Sequence, residues 1–228
     1  MKILALETAT LAGSVALAGD EEGLIGEVRV NVKIAHAERL MPAIDWLLKA
    51  SGISIHDIDA FALSIGPGSF TGLRIGLSTA KGFAFATNKP LVPVPTLDAF
   101  ARSIPFSRHL LCPMLDARKH QVYAGLYRWE GGVCTKVMPE TTVRPDEFLQ
   151  KIHEPTVVMG DGCILYKDMI SEILKSNALF APLSRMSPSA SAVAEIAMEE
   201  IKGGFSSDPV GIVPYYIRKS EAEVNWKG

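Results

Sequence analysis

Apolar residues open the chain in a short unbroken run, Ile3 to Leu6, the pattern of a strand buried on both faces. Glu7-Thr8-Ala9-Thr10 makes a polar turn. Ser14 to Ala18 returns as a second strand, Asp20 to Gly23 turns again, and Leu24 to Val32 supplies a third, so the chain begins as a meander. From His36 to Ser51 the period changes. Ala37, Leu40, Met41, Ile44, Leu47 and Leu48 recur at helical spacing. Pro42 inside the run predicts a kink or a late helix start, and Gly52 a stop. Phe61 to Ser64 reads as another strand. It runs through Gly66-Pro67-Gly68 into a helix reaching about Thr87, with Ser69 or Thr71 as the N-cap. After Asn88-Lys89-Pro90, Leu91 to Val94 makes a further strand.

The second half begins near Leu97 and echoes the first. Leu110 to Leu115, Asp116, the polar turn Ala117-Arg118-Lys119-His120 and the strand Gln121 to Tyr127 repeat the order of Ile3–Leu6, Glu7 and Ser14–Ala18. Val157 to Gly160 is a strand. Asp168–Leu174 and Ser189–Lys202 are helices, the latter opening at Ser187-Pro188-Ser189 and stopped by Gly203-Gly204. From Pro209 the tail is extended. Meanders joined to helices around mixed sheets predict α/β lobes, divided as 1–96 and 97–228.

Composition narrows the function. A chain of 228 residues suits one large domain or two lobes. Its 23 basic against 25 acidic residues give a net charge of -2, and no basic block has the form of a nucleic-acid footprint. Cys112, Cys134 and Cys163 are too widely spaced for a zinc site, and an odd number argues against a disulfide framework. No apolar run approaches the roughly 18 residues of a membrane span, and the N-terminus lacks the features of a signal peptide. A reduced, cytoplasmic protein without a membrane partner is expected.

The chemistry centres on the Gly-rich segment. It is neither a Walker A loop nor G-x-G-x-x-G. A strand, a glycine turn and a helix N-terminus can still cradle an anion, or merely shape a surface. The helix that follows carries Gly72, Gly76, Ala80 and Ala84 at intervals of four. Glycine costs an isolated helix about 1 kcal/mol relative to alanine, so close packing must compensate, either inside the fold or against a partner's helix. Glu7 and Asp116 end equivalent strands. Such a pair can hold a Mg²⁺–nucleotide through water or satisfy the N–H groups of a turn. His36, His56, His109, His120 and His153 are isolated and read as solvated or capping residues. Ser69 does not stand in a G-x-S-x-G elbow.

The stretches ILALETAT, HAERLMPAIDWLL, SIGPGSFTGLRIGLSTAKGFAFATNKPLVPVPTLDAFA, MLDARKHQVYAGLY and PYYIRKSEAE resemble the TsaB (YeaZ) family, which serves the synthesis of threonylcarbamoyladenosine in tRNA. The resemblance covers essentially the whole chain and is looser in the second half. It implies the actin/Hsp70/sugar-kinase type of α/β fold, with two lobes, each a mixed sheet with helices. It also implies a catalytic relative, TsaD, that transfers the threonylcarbamoyl group to adenosine 37 of tRNA. That relative continues from the corresponding strand into an H-x-E-x-H type metal motif. Here Thr96 and Phe100 stand in the places of the two histidines, and neither is a substitute for imidazole.

A non-catalytic subunit is therefore implied, with no catalytic residue, metal or cofactor of its own, and with ATP or ADP admitted only at a partner interface. The implied partners are a TsaD-like protein, a TsaE-like ATPase in a ternary complex, and a second copy of the chain in isolation, with tRNA reached only indirectly. The candidate interface is Leu40, Ile44 and Leu47 on the first helix and Gly72, Ile75, Gly76, Thr79 and Ala80 on the second. The superfamily's phosphate site would lie near Glu7, Thr8, Gly66, Gly68 and Asp116. Two alternatives remain: an autonomous ATP-binding enzyme of the same superfamily, and a glycoprotease-like metallopeptidase. The ending Pro214 to Glu223 is either an interface anchor or an arm packed on the second lobe.

Overall fold

The computed structural model of the protein describes residues 1–205 and 207–218. Its contacts divide the chain into two compact units. The first holds strands β1 (Lys2–Glu7), β2 (Ala12–Gly19), β3 (Gly23–Asn31), β4 (Ala60–Gly66) and β5 (Leu91–Pro95), in the order β3-β2-β1-β4-β5. The meander β1-β2-β3 is antiparallel, while β4 and β5 run parallel to β1. The second holds β6 (Leu110–Arg118), β7 (Gln121–Glu130), β8 (Val133–Val143), β9 (Thr156–Met159) and β10 (Ala178–Phe180), in the order β10-β9-β6-β7-β8. Again a meander is extended by two parallel strands. Counted from its own first strand, each sheet has the same order, so the repeat faintly visible in the sequence is a repeat of topology. Both units have the architecture of actin/Hsp70/sugar-kinase-type lobes.

The helices are α1 (His36–Ser51), α2 (Phe70–Thr87), α3 (Thr96–Arg102), α4 (Pro145–Leu149), α5 (Asp161–Leu165), α6 (Lys167–Leu174) and α7 (Ala190–Lys202). The late start allowed by Pro42 does not occur, because α1 begins at His36 and continues through the proline; Gly52 ends it in the left-handed region at φ 67. Short α3, α4 and α5 and the polar strand β8 had no clear periodic signal.

Alternation along β1 explains its unbroken apolar run. Leu4 and Leu6 join Val15, Leu17, Phe61 and Leu63 beneath α1 and α2. Ile3 and Ala5 face the other way, with Ala16, Ala62, Val92 and Val94, against Ala190, Val193, Ala194 and Ala197 of α7. Small residues on both sides let that helix lie close to the sheet. The division at 96/97 is corrected accordingly. The cut falls inside α3, between Ala99 and Phe100, and Pro188–Pro214 belongs to the first unit. The alanine face of α7 complements the alanine-rich face of the first sheet, a match that sequence order conceals. In the second unit, Leu110, Cys112, Met114, Val122, Ala124, Phe148, Leu149, Val158 and Ile170 form a separate core.

Candidate functional site

The Gly-rich turn is filled by its own chain. Gly66 adopts φ 123, a conformation open to glycine, and its N–H donates to Thr96 Oγ1 at 3.1 Å. Ser69 is the N-cap of α2: its Oγ accepts from the Gly72 N–H at 3.3 Å. The Ser69 N–H donates to the Ala9 carbonyl at 2.7 Å. A Cβ on Gly68 would collide with the Ala9 carbonyl, one on Gly72 with the Thr8 carbonyl, and one on Gly76 with Thr8 Oγ1. The glycines thus admit the β1–β2 turn, and the Ala9 carbonyl takes one donor, the Ser69 N–H, that an anion would need. The cradle reading of Thr8, Gly66 and Gly68 gives way to internal packing.

Glu7 is closed off as well. It is 0% exposed, on the face of β1 that α7 covers. Its Oε1 accepts from the Ala9 N–H at 2.6 Å. Its Oε2 and the neighbouring Ser64 Oγ are buried and close enough to interact, but without a well-formed hydrogen bond. Burial pushes the carboxyl up to about 7, against the opposing pulls of the Ser64 hydroxyl, the Ala9 N–H and the more distant Arg29 charge. Ser14, opposite Glu7 in register, accepts from the Ala190 N–H at 2.8 Å where α7 begins. Glu7 offers no open oxygen to a phosphate in this arrangement.

Asp116, in the second unit, accepts from the Arg118 N–H at 2.8 Å and pairs with Arg118 Nη1 at 3.1 Å. Its own N–H donates to Asp161 Oδ1 at 3.0 Å; burial raises the Asp161 carboxyl. Thr96 spends its hydroxyl on Gly66, and Phe100 is 0% exposed. Among the described residues no group of three or more His, Cys, Asp or Glu is gathered to hold a metal ion. No described helix is long and apolar enough to cross a membrane.

One open, mainly apolar feature of the first unit is a groove between α1 and α2. Ala37, Leu40 and Met41 line one side and Arg74, Ile75, Ser78 and Thr79 the other, around about 350 Å³. Met41 is 48% exposed on its rim. Trp46 and Phe85, on the same two helices, are exposed too. The predicted interface therefore splits. Ile75 and Thr79 line the groove, and Leu40 forms part of its wall while belonging to the core. Ile44, Leu47, Gly72, Gly76 and Ala80 are buried against their own chain, so the small-residue stripe is internal. A face one step around each helix, with Ala37 and Met41 on α1, carries the opening instead. Met41 stood among the apolar positions at helical spacing, and Trp46 and Phe85 are large apolar side chains left exposed on the same two helices.

His36 is half-buried and hydrogen-bonded, unlike a solvated or capping residue. In the tail, Arg218 Nη1 donates to the Ala117 carbonyl at 2.8 Å, an arm packed within the second unit. Lys219 to Glu223 lie outside the described residues.

A family model described as TsaD, tRNA N6-adenosine threonylcarbamoyltransferase, matches residues 26–226. The chain is 32% identical to the tRNA threonylcarbamoyladenosine biosynthesis protein TsaB of Bacillus subtilis, over 99% of the chain and 98% of the relative. It is also 32% identical to the TsaB of Escherichia coli, over 100% and 97%. A solved structure of an uncharacterized Pseudomonas aeruginosa protein with similarity to peptidase YeaZ superposes with a TM-score of 0.81 at 27% identity, covering 95% of this chain and 99% of that one. YeaZ from Pseudomonas aeruginosa gives 0.78 at 27% identity, covering 94% and 99%.

Proposed function

The chain belongs to the TsaB family, which falls under the TsaD-type family model, and from that premise we propose that it is a non-catalytic subunit that docks and activates a TsaD-type enzyme. It takes part in making threonylcarbamoyladenosine in tRNA, in the cytoplasm. The observation that carries the finer reading is the apolar groove between α1 and α2, rimmed by Met41 and lined by Ile75 and Thr79. An exposed apolar surface on a chain with no described helix long and apolar enough to cross a membrane fits a protein partner. Helices of a TsaD-type chain fill it in the assembly, and a second copy fills it when the chain is alone, since a two-fold contact needs one self-complementary patch. Thr96 and Phe100 support the non-catalytic role, because one hydroxyl is committed to Gly66 and the other side chain is a buried phenyl ring. A TsaE-like ATPase joins the same assembly. ATP or ADP, where present, binds at the partner interface, and tRNA contacts fall to the enzyme.

Met41→Asp tests the reading. It places a charge on the groove rim at a half-exposed position, so stability should change by no more than about 0.5 kcal/mol. Pull-down by the cognate TsaD-type protein should be lost, and a reconstituted tRNA modification assay should fall to the rate seen without this chain. Undiminished binding by the variant, or full modification in the absence of the chain, refutes the proposal.

A further inference from the structure

Three segments of the first unit meet at His36. Its Nε2 lies 2.7 Å from the Thr10 carbonyl, and Nη2 of Arg39, one turn along α1, lies 3.1 Å from its Nδ1 and 3.4 Å from its Nε2. A carbonyl can only accept, so Nε2 carries the proton and Nδ1 is left to receive the guanidinium N–H. The partners therefore assign the neutral imidazole. Arg39 spends its remaining terminal N–H groups on backbone. Nη2 donates to the Leu11 carbonyl, and Nη1 donates to Val30 at 2.9 Å and Val32 at 3.4 Å.

Glycines make room for the ring. A Cβ on Gly13 would stand 2.8 Å from His36 Nδ1 and Cε1, and one on Gly72 would stand 3.4 Å from its Cδ2. One imidazole and one guanidinium thereby tie the β1–β2 turn and the end of β3 to the first turn of α1, with the start of α2 against the ring. His36 is not the cap of α1: Ala35 holds that position, without a side-chain bond. The groove begins one residue later, at Ala37.

We propose that His36 and Arg39 are positioning residues that latch the Thr8–Gly13 turn to the N-terminal ends of α1 and α2, set the groove's shape for its protein partner, and release it when the imidazole gains a proton. This rests on the groove being the partner face. Protonation would place an N–H on Nδ1 against the N–H of Arg39, turning an acceptor into an opposed donor. Burial pulls the imidazole below its ordinary value; the Thr10 bond opposes this, and the Arg39 charge adds to it.

Arg39 is the charge facing the ring. Glu38 follows on the exposed side of α1, and Arg74 lies across the groove on α2. Lys33 precedes α1 on an exposed segment; Glu27 and Arg29 on β3 pair with one another, and Glu7 before the turn lies on the opposite sheet face. A depressed imidazole stabilises the fold fully above its unfolded value and loses that contribution as pH falls through the folded one.

The test compares the full chain with His36→Gln and Arg39→Met, binding the cognate TsaD-type protein by titration calorimetry at pH 8 and pH 5.5. Hydrogen exchange over the β1–β2 turn and the first turn of α1 is followed on the same samples. Glutamine can donate to Thr10 and accept from Arg39 but cannot ionise. Wild-type affinity should fall at pH 5.5, by less than roughly tenfold because burial holds the imidazole below its ordinary value, with lower protection factors in both segments than His36→Gln has at the same pH. His36→Gln should keep its pH 8 affinity and protection factors at pH 5.5, and Arg39→Met should bind roughly tenfold more weakly at both pH values. Parallel pH responses in wild type and His36→Gln, or wild-type behaviour of Arg39→Met, overturn the latch. If the wild type does not bind the partner even at pH 8, the groove reading fails on its own. The exchange data then judge the latch, and equal exchange in wild type and His36→Gln at pH 5.5 overturns it.

Discussion

Glu7→Gln should stabilise the protein at alkaline pH and leave it nearly unchanged in acid. The carboxyl is 0% exposed, and burial raises it from an ordinary 4.5 to about 7. Below 4.5 the folded and unfolded chains both hold the proton, and ionisation costs nothing. Between 4.5 and 7 the fold holds a proton that the unfolded chain releases, so stability declines as pH rises. Above 7 the buried group must ionise, and the loss is complete. At 1.36 kcal/mol for each tenfold, the interval amounts to about 3 kcal/mol. Glutamine keeps an oxygen for the Ala9 N–H, and its amide can donate to Ser64 Oγ, which makes no well-formed hydrogen bond with the carboxyl. The variant should therefore gain about 3 kcal/mol at pH 8 and under about 1 kcal/mol at pH 5. For a chain of this size that is a melting-temperature rise of about 6–12 °C at pH 8. Calorimetric scans of both proteins at the two pH values measure it, and the difference between proteins removes His36 and other titrating groups. An equal shift at both pH values, or a loss at pH 8, would refute the buried-acid reasoning.

Other substitutions separate inside from outside. Gly72→Ala should destabilise by about 1–3 kcal/mol, because the added methyl meets the Thr8 carbonyl, a backbone atom that cannot swing away; denaturant unfolding monitored by circular dichroism checks it, and a neutral result would return the small-residue stripe to the surface. Ser189→Ala should cost about 1 kcal/mol, since Ser189 Oγ accepts from the Ala192 N–H at 3.4 Å and is the N-cap of α7. The same unfolding assay measures it, with no expected change in partner binding.

Much of the architecture could be read along the chain. Ile3–Leu6 announced a strand covered on both faces, the spacing from His36 to Ser51 gave α1, and Gly52 and Ser69 mark its end and the start of α2 as expected. These are local properties, set by backbone geometry and by which side of an element is apolar. The motif around Gly66–Gly76 likewise carried the family resemblance. The candidate site was less legible. Gly72 and Gly76 were evident as a stripe, yet a stripe does not say what covers it, and the answer is Thr8, from a turn much earlier in the chain. Nor does a strand-end glutamate show whether water reaches it.

The sequence by itself determined the long, strongly patterned elements, their repeated order and the family resemblance, and it placed Thr96 and Phe100, neither a metal-binding side chain, after β5. Only the tertiary structure decided which faces were consumed. The return of α7 from residue 190 onto the first sheet covers the face that Glu7 shares, and the turn around Thr8 fills the glycine cradle and turns a predicted docking stripe inward. Periodicity records that a face is apolar. Its neighbour is chosen by shape complementarity between segments far apart in the chain, and that choice left Met41, Ile75 and Thr79 at the open groove.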